Sequence, residues 1–144
     1  MPWSSARARI VVLLATLKLA EPVLSTIAKV YPTPPPTIGD LPCFVIYPPA
    51  LKVERGPGIR IKTYTVRLRL LVTDADLEQA ADLVDAYREA VVDVFDTDTR
   101  LSDTHTRITG PTVEEAGQFT YGGRDFTGMD CLLTVIIEEP KAFS

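Results

Sequence analysis

The sequence has 144 residues, of which 15 are Lys or Arg and 19 are Asp or Glu, so its formal net charge is −4. Hydrophobic residues make up 46% and charged residues 24%, which is typical of a folded chain and excludes wholesale disorder and a coiled-coil rod. The acidic balance argues against broad, nonspecific binding to a nucleic-acid backbone. A chain of this length fits one domain, and we expect residues 1–144 to form a single α+β domain.

An apolar pattern with helical spacing begins close to the N-terminus. Ser4 or Ser5 is suited to cap a helix. The apolar residues that follow recur at steps typical of a helix: Ile10, Leu13, Leu14, Leu17 and Ala20. Pro22 interrupts this helix or opens a second helical piece, which carries Val23, Ile27 and Val30 and ends by Tyr31.

The same segment imitates an export signal, because Arg7 and Arg9 precede the apolar run. Lys18 interrupts that run, and the run is far shorter than the roughly 20 residues that span a bilayer. We therefore expect a packed helix, with a cleaved signal as the alternative, and we expect no membrane partner.

Proline residues are concentrated in the next part of the chain. Residues 32–42 include Pro32, Pro34, Pro35 and Pro36, which are incompatible with a helix or a central strand. This segment is predicted to be an extended arm. It serves either as a stiff connector or as a ligand for an aromatic groove on a partner.

Strand patterns follow the arm. Cys43–Tyr47 predicts a short buried strand, and Leu51–Arg55 predicts the first half of a hairpin with a turn at residues 56–58. Ile59–Thr73 is the clearest strand because its residues alternate in polarity. One face carries Tyr64, Val66, Leu68, Leu70 and Val72, and the other carries Thr63, Thr65, Arg67 and Arg69.

A long helix and three more strands are predicted to complete the chain. Thr73 and Asp76 have the spacing of a capping box, and an amphipathic pattern extends from Asp76 to Phe95. Three strand patterns follow at His105–Thr109, Thr112–Tyr121 and Phe126–Glu138, separated by turns at residues 110–111 and 122–125. Residues 132–137 are mostly apolar on both faces, which predicts a central strand covered on both sides. The order of these elements predicts an α+β domain in which the N-terminal helix and the long helix pack on a mostly antiparallel sheet.

No catalytic, cofactor or metal site is predicted. His105 is the only histidine, and Cys43 and Cys131 lie in apolar strand patterns where buried thiols are usual. The acidic loop Asp96–Asp103 has Leu101 where a calcium loop needs glycine, so we interpret it as a solvated loop. We therefore expect a protein without enzymatic activity or a bound cofactor.

Cations are concentrated around the long strand: Arg55, Arg60, Lys62, Arg67 and Arg69. No aromatic residue alternates with Arg67 and Arg69 on their face of that strand, as a base-stacking surface would require. The cations form either a solvated sheet face protected by charge or a surface for a partner.

The order of these features resembles one protein family. The likeness is carried by the helical start, the crossing from Pro34 through Tyr47, the strand Tyr64–Val72, the capped helix Asp76–Phe95 and the ending Phe119–Ile137. In the order of these elements and in their general residue pattern, the chain is similar to the tail terminator (tail completion) proteins of long-tailed bacteriophages. The resemblance covers nearly the whole chain and supplies no residue-level motif.

The resemblance implies a structural virion protein that assembles in the host cytoplasm as a hexameric ring. Such a ring caps the tail tube, stops its growth and joins the tail to the head connector. The expected partners are further copies of the chain, the tail tube protein and the head connector or stopper protein, with DNA passing through the ring. Candidate assembly residues are Pro34, Pro35, Pro36, Arg67, Arg69 and Arg124. The alternatives are a connector or stopper subunit and a small α+β enzyme or ligand-binding domain.

Overall fold

The computed structural model describes residues 3–15, 27–74, 77–96, 106–114 and 116–140. These residues form two helices, α1 (Trp3–Ala15) and α2 (Leu77–Asp96). They also form seven strands: β1 (Lys29–Tyr31), β2 (Cys43–Ile46), β3 (Ala50–Gly56), β4 (Ile59–Thr73), β5 (Thr106–Val113), β6 (Gly117–Tyr121) and β7 (Arg124–Pro140). The predicted combination of an N-terminal helix with a mostly antiparallel sheet is confirmed, since only the β1–β2 pair among the described pairings is parallel.

Two long strands form the middle of the sheet. β4 and β7 pair with each other over nearly their full length, from Ile59 opposite Pro140 to Thr73 opposite Thr127. The outer edge of β4 pairs with β3 in its first half and with β2 in its second half. The outer edge of β7 pairs with β6 in its first half and with β5 in its second half. Each long strand therefore joins two shorter strands into one sheet.

Both helices pack on one face of this sheet, which we call the helix-covered face. The predicted apolar face of β4 lies here, and its side chains from Tyr64 to Val72 are buried. They pack in one cluster with α1 and α2 residues that recur at helical spacing: Ala6, Ile10, Leu14, Val84, Tyr87, Val91 and Phe95. Since burying an apolar side chain of this size contributes about 2 kcal/mol, this cluster is the main source of stability.

A smaller cluster lies on the opposite face, which we call the second face. Its buried members are Ile38, Cys43, Val45, Leu71 and Phe126, with Tyr31, Leu41, Tyr47, Phe119 and Tyr121 packed against them. Ile38 and Leu41 belong to the arm of residues 32–42, which forms neither helix nor strand, as predicted. The arm thus covers the part of the second face that lies over β2, β6 and the adjoining ends of β4 and β7.

Several predictions differ from the structure. Val30 is part of strand β1, not of a helical stripe, because residues 29–31 pair in parallel with Cys43–Val45. Gly110-Pro111 is not a turn between strands: it is an irregularity inside β5, which continues from Thr109 to Thr112 along β7. The predicted strand Thr112–Tyr121 is therefore divided between β5 and β6.

The predicted covering of residues 132–137 on both sides is also wrong for one side. Leu133, Val135 and Ile137 are buried on the helix-covered face. Leu132, Thr134 and Ile136, on the second face, are only half-buried. The second face is therefore open where the arm ends.

Some predictions fall outside the described residues. These are the second half of the N-terminal helical pattern with Lys18 and Pro22, the capping residue Asp76, most of the acidic loop, and His105. Among the residues that are described, neither helix is long and apolar enough to span a membrane.

Candidate assembly surface

The structure places all the predicted assembly residues on or beside the second face, in two groups. The first group lies where the arm crosses the β6–β7 hairpin and consists of Pro34, Pro35, Pro36 and Arg124. Arg67 and Arg69 lie on β4, next to β7. Both groups make contacts within the chain, so they first serve to hold the fold together.

The first group fixes the arm to the β6–β7 hairpin. The hairpin turns through Gly122 and Gly123, whose φ angles of 59° and 79° suit the two-residue turn that joins twisted antiparallel strands. Beside this turn, the Tyr121 hydroxyl donates a hydrogen bond to the carbonyl oxygen of Pro35. Arg124 donates to the carbonyl oxygen of Ile38 over 3.3 Å. The arm is therefore tied at two points to the turn.

Arg124 also contacts its surroundings through its charge. Its guanidinium lies 5.0 Å from the centre of the Phe126 ring and 3.8 Å from an Asp74 carboxylate oxygen. Its side chain remains 56% exposed. Pro34 and Pro36 are exposed as well, so this corner presents prolines and one cation to solvent.

Tyr121→Phe is expected to loosen the arm without unfolding the protein. The change removes the hydroxyl that donates to Pro35 and keeps the ring in the second-face cluster, so we expect a loss of about 1 kcal/mol in the free energy of unfolding. Faster proteolysis within residues 32–42 should accompany it. Thr120→Val is the matched control on the same strand, since it removes a hydroxyl bonded to the exposed Asp125. Equal proteolysis of both variants and the unmodified protein would contradict this role for Tyr121.

The second group is organised by a carboxylate that the sequence analysis did not single out. Asp130 lies opposite Arg69 on β7 and is only 3% exposed. Arg69 donates to it twice, from Nε over 2.8 Å and from Nη2 over 3.1 Å, and Arg67 donates through Nη1. Such a two-pronged arginine contact fixes both groups in orientation.

Burial and the neighbouring arginine charges shift the pKa of Asp130 in opposite directions. Burial raises the pKa of this carboxyl, but the hydrogen bonds from Arg69 and Arg67, together with their charges, outweigh burial and lower the pKa below its ordinary value. The same contact with Asp130 raises the pKa of Arg69. Arg69 and Asp130 therefore stabilise each other in their charged forms.

Aromatic rings enclose Arg69, although none alternates with it on β4. Its guanidinium carbon lies 4.4 Å from the centre of the Phe119 ring and 5.2 Å from that of Tyr47. Phe119 belongs to β6, and Tyr47 directly follows β2. Arg69 is thus held between two rings and a carboxylate, whereas the Arg67 side chain is 40% exposed and reaches outward toward Glu114 at 3.7 Å.

Beyond Arg67, the second face continues as a surface that we call the open patch. Four neighbouring strands form this surface, in the order β3, β4, β7, β5. Two rows of residues, each paired from strand to strand across all four, make up the patch, and we call each row a rung. The first rung is Lys52, Thr63, Ile136 and Arg107, and the second is Ala50, Thr65, Thr134 and Thr109. Thr63, Thr134 and Ile136 are half-buried and the other five residues are exposed. The patch has an uncharged floor, with Arg107 at one side and Lys52 at the other, and Lys52 forms an ion pair with Glu54 at 3.2 Å.

Other features of the described residues offer little chemistry. Cys43 and Cys131 are free and buried, and burial raises their thiol pKa values to about 11 and about 12, so neither is a ready nucleophile. No group of three or more His, Cys, Asp or Glu residues in the described ranges is placed to hold a metal ion. One cleft of about 230 Å³ lies between α1 and the arm, lined by Trp3, Arg7, Pro32, Thr33, Tyr47, Pro48 and Pro49.

Comparison with known proteins does not assign the chain to a family. No protein-family model matches the sequence, and no curated protein matches it.

Proposed function

We propose that this protein is a tail terminator of a long-tailed bacteriophage. In this role it is a structural, non-enzymatic subunit that forms a hexameric ring at the head-proximal end of the tail, ends growth of the tail tube and joins the tail to the head connector. The proposal is carried by one observation: the order of helix, proline-rich arm, short strand, long strand, helix and strands along nearly the whole chain resembles that family.

The second face supports a role in assembly. The open patch spans four strands and is flanked by exposed cations, while the arm and Arg124 present a second contact region at the other end of the same face. A subunit of a ring needs two different contact regions, one for each neighbour. Exposed sheet surface is suitable for such contacts, and so is the edge of β3 that pairs with no other strand among the described residues.

Deletion of the gene from its phage tests this role. We expect tails of irregular length that fail to join heads, and we expect a plasmid copy of the gene to restore uniform, joined tails. Tails of normal length that remain separate from heads would instead indicate a connector or stopper subunit. Uniform tails joined to heads would eliminate both roles and favour a small enzyme or ligand-binding domain.

A further inference from the structure

The β3–β4 hairpin leaves one edge of strand β3 open. β3 pairs with β4 from Ala50 opposite Thr65 to Gly56 opposite Ile59, and it pairs with no other strand among the described residues. This edge is seven residues long. The unpaired N–H and C=O groups of such an edge are a template for a further strand. An added strand is therefore the kind of partner that suits β3.

The register of the hairpin determines which backbone groups of β3 point toward the open edge. Gly56 and Ile59 flank a two-residue turn, and the residues that flank such a turn are hydrogen-bonded to each other. Hydrogen-bonded pairs alternate with non-hydrogen-bonded pairs along an antiparallel ladder, so every second residue of β3, counted back from Gly56, bonds to β4. The residues between them direct their N–H and C=O groups outward: Leu51, Val53 and Arg55.

The open edge of β3 is complementary to itself in one antiparallel register. A second copy of β3 bonds to this edge only where outward-directed residues of one copy face outward-directed residues of the other. A pair centred on Val53 meets this condition over the whole strand. Val53 then lies opposite Val53 of the other copy, and Leu51 lies opposite Arg55 of the other copy, so all seven positions overlap.

The same register places opposite charges next to each other. On the second face, Lys52 of each copy lies directly opposite Glu54 of the other copy. Within one chain these two side chains form an ion pair at 3.2 Å while 75% and 59% exposed, so each remains accessible to an additional partner. A shift of two residues in either direction would instead oppose Lys52 to Lys52 or Glu54 to Glu54, which is unfavourable. Charge therefore selects the register that also gives complete overlap.

Apolar side chains meet on the other face of β3. Val53 is half-buried in one chain, and Leu51 is 51% exposed. In the register centred on Val53, the two Val53 side chains are direct neighbours, and each Leu51 lies diagonally beside Val53 of the other copy, within reach of contact. The aliphatic part of Arg55 covers Leu51 of the other copy from the opposite position. Pairing thus removes the exposed Leu51 from water, which favours association.

We propose that two copies of this chain join through β3 in this register and form one continuous antiparallel sheet. The contact is isologous, because β3 of each copy meets β3 of the other, so assembly through this edge ends at two copies. The inference goes beyond the proposed function, since a two-fold contact does not by itself build a ring. It leaves the arm and the exposed Arg107 and Thr109 at the far side of the open patch accessible.

Charge variants of the purified, full-length protein test the register. Sedimentation velocity at low salt, from about 1 µM to about 500 µM protein, measures the dimer, and circular dichroism verifies folding. The unmodified protein should dimerise. Lys52→Glu and Glu54→Lys each place two like-charged pairs across the contact, so each variant alone should raise the dissociation constant at least about tenfold. An equimolar mixture of the two variants, and the exchange variant that carries both changes, should regain the dimer.

Arg107→Glu and Glu89→Lys are the matched controls for net charge. Arg107 is exposed on β5, at the other side of the sheet, and Glu89 is exposed on α2. Each control changes the net charge by the same amount and in the same direction as one of the β3 variants. Because both positions are distant from the open edge of β3, the two controls should dimerise as the unmodified protein does.

Val53→Pro tests the backbone pairing separately from charge. The N–H of Val53 points toward the open edge, so a proline there removes no bond to β4 and is compatible with an edge strand. It removes a donor at the centre of the contact from both copies, and we expect the dissociation constant to rise at least about tenfold. Val53→Thr keeps both the N–H and the shape of the side chain, and it should retain the dimer.

Four results would overturn the inference. They are an unmodified protein that stays monomeric over this range, a dimer that both charge variants leave intact, a mixture of the two folded charge variants that stays monomeric, and a folded Val53→Pro variant that dimerises like the unmodified protein. None of them bears on the role in the phage, which the gene deletion tests through tail length and head joining. Normal tails in the deletion would remove the terminator role and leave the β3 contact to these measurements.

Discussion

Gly128→Ala is expected to destabilise the protein by about 4 kcal/mol or more, or to prevent it from folding, which is the upper range for a single substitution. Gly128 lies on β7 directly opposite Leu71 of β4. A Cβ atom at this position would overlap the carbonyl oxygen of Leu70 and would lie 2.9 Å from the Leu70 carbonyl carbon and 3.1 Å from the Leu71 Cα. These are backbone atoms, so no side-chain rotation relieves the overlap and the two central strands must separate.

Gly117→Ala provides the matched control. Gly117 pairs with Gly128 across the β6–β7 hairpin, yet a Cβ atom there would have no neighbour within 4 Å. We expect its effect on the free energy of unfolding to stay within about 0.5 kcal/mol, as for most unconstrained surface changes. Urea denaturation of both variants gives the comparison. Equal stabilities would show that β4 and β7 are not this close at Gly128.

The alternating strands could be predicted because their pattern is local. Along β4, the apolar residues from Tyr64 to Val72 repeat with period two, and a strand that buries one face requires this repeat. The observed bounds of β4 are those predicted, Ile59–Thr73. β2 ends one residue earlier than predicted, and β3 is one residue longer than predicted at each end. Neighbouring prolines and glycines limit both strands.

Strand β5 could not be predicted correctly from local signals. Gly110-Pro111 has the composition of a turn, and a proline removes one backbone donor from a ladder. In the structure the pairing with β7 shifts register at this point and then resumes at Thr112 opposite Leu132. The long strand β7 supplies a continuous partner for both halves, and such tertiary pairing is absent from the local pattern.

The surroundings of the candidate assembly residues on β4 could not be predicted, because they are set by the pairing of β4 with a strand that is distant in sequence. The sequence showed Arg67 and Arg69 as cations on a polar strand face, whereas Asp130 is separated from them by more than 60 residues. Only the β4–β7 register brings the carboxylate opposite Arg69. The sequence did contain one signal of this contact, which is the Asp130 carboxylate between the apolar residues Met129 and Cys131. A carboxylate is rarely buried in a strand without a partner of opposite charge. Recognising it would have predicted a basic partner on a neighbouring strand.

The same register explains why the two arginines differ in availability. Arg69 is enclosed by Tyr47, Phe119 and Asp130, so changing it acts first on stability. Arg67 lies at the border of the open patch with a side chain that is 40% exposed. Of the two predicted assembly residues on β4, Arg67 is therefore the more exposed one.

Asp130→Ala is expected to reduce the free energy of unfolding by about 3 kcal/mol, because removing one member of a buried ion cluster leaves the others without compensation. Arg69 would lose both of its carboxylate hydrogen bonds while still held between Tyr47 and Phe119. Arg67 would keep its more distant contact with Glu114 and the freedom to reach solvent, which limits the loss. Asp125→Ala is the control on the same strand, since Asp125 is exposed, and we expect a change below about 1 kcal/mol.

The pH dependence of stability in Asp130→Asn distinguishes the carboxylate charge from packing alone. Because the pKa of Asp130 is lowered by folding, its ionised form stabilises the native protein above the pKa of an unfolded aspartate, about 3.9, and this contribution is lost as the pH falls through the lower native value. The difference in unfolding free energy between the unmodified protein and Asp130→Asn should therefore be constant near neutral pH and shrink below about pH 4. Urea titrations at a series of pH values measure it. A difference that stays constant down to the acid unfolding range would show that the two arginines do not depend on the charge of Asp130.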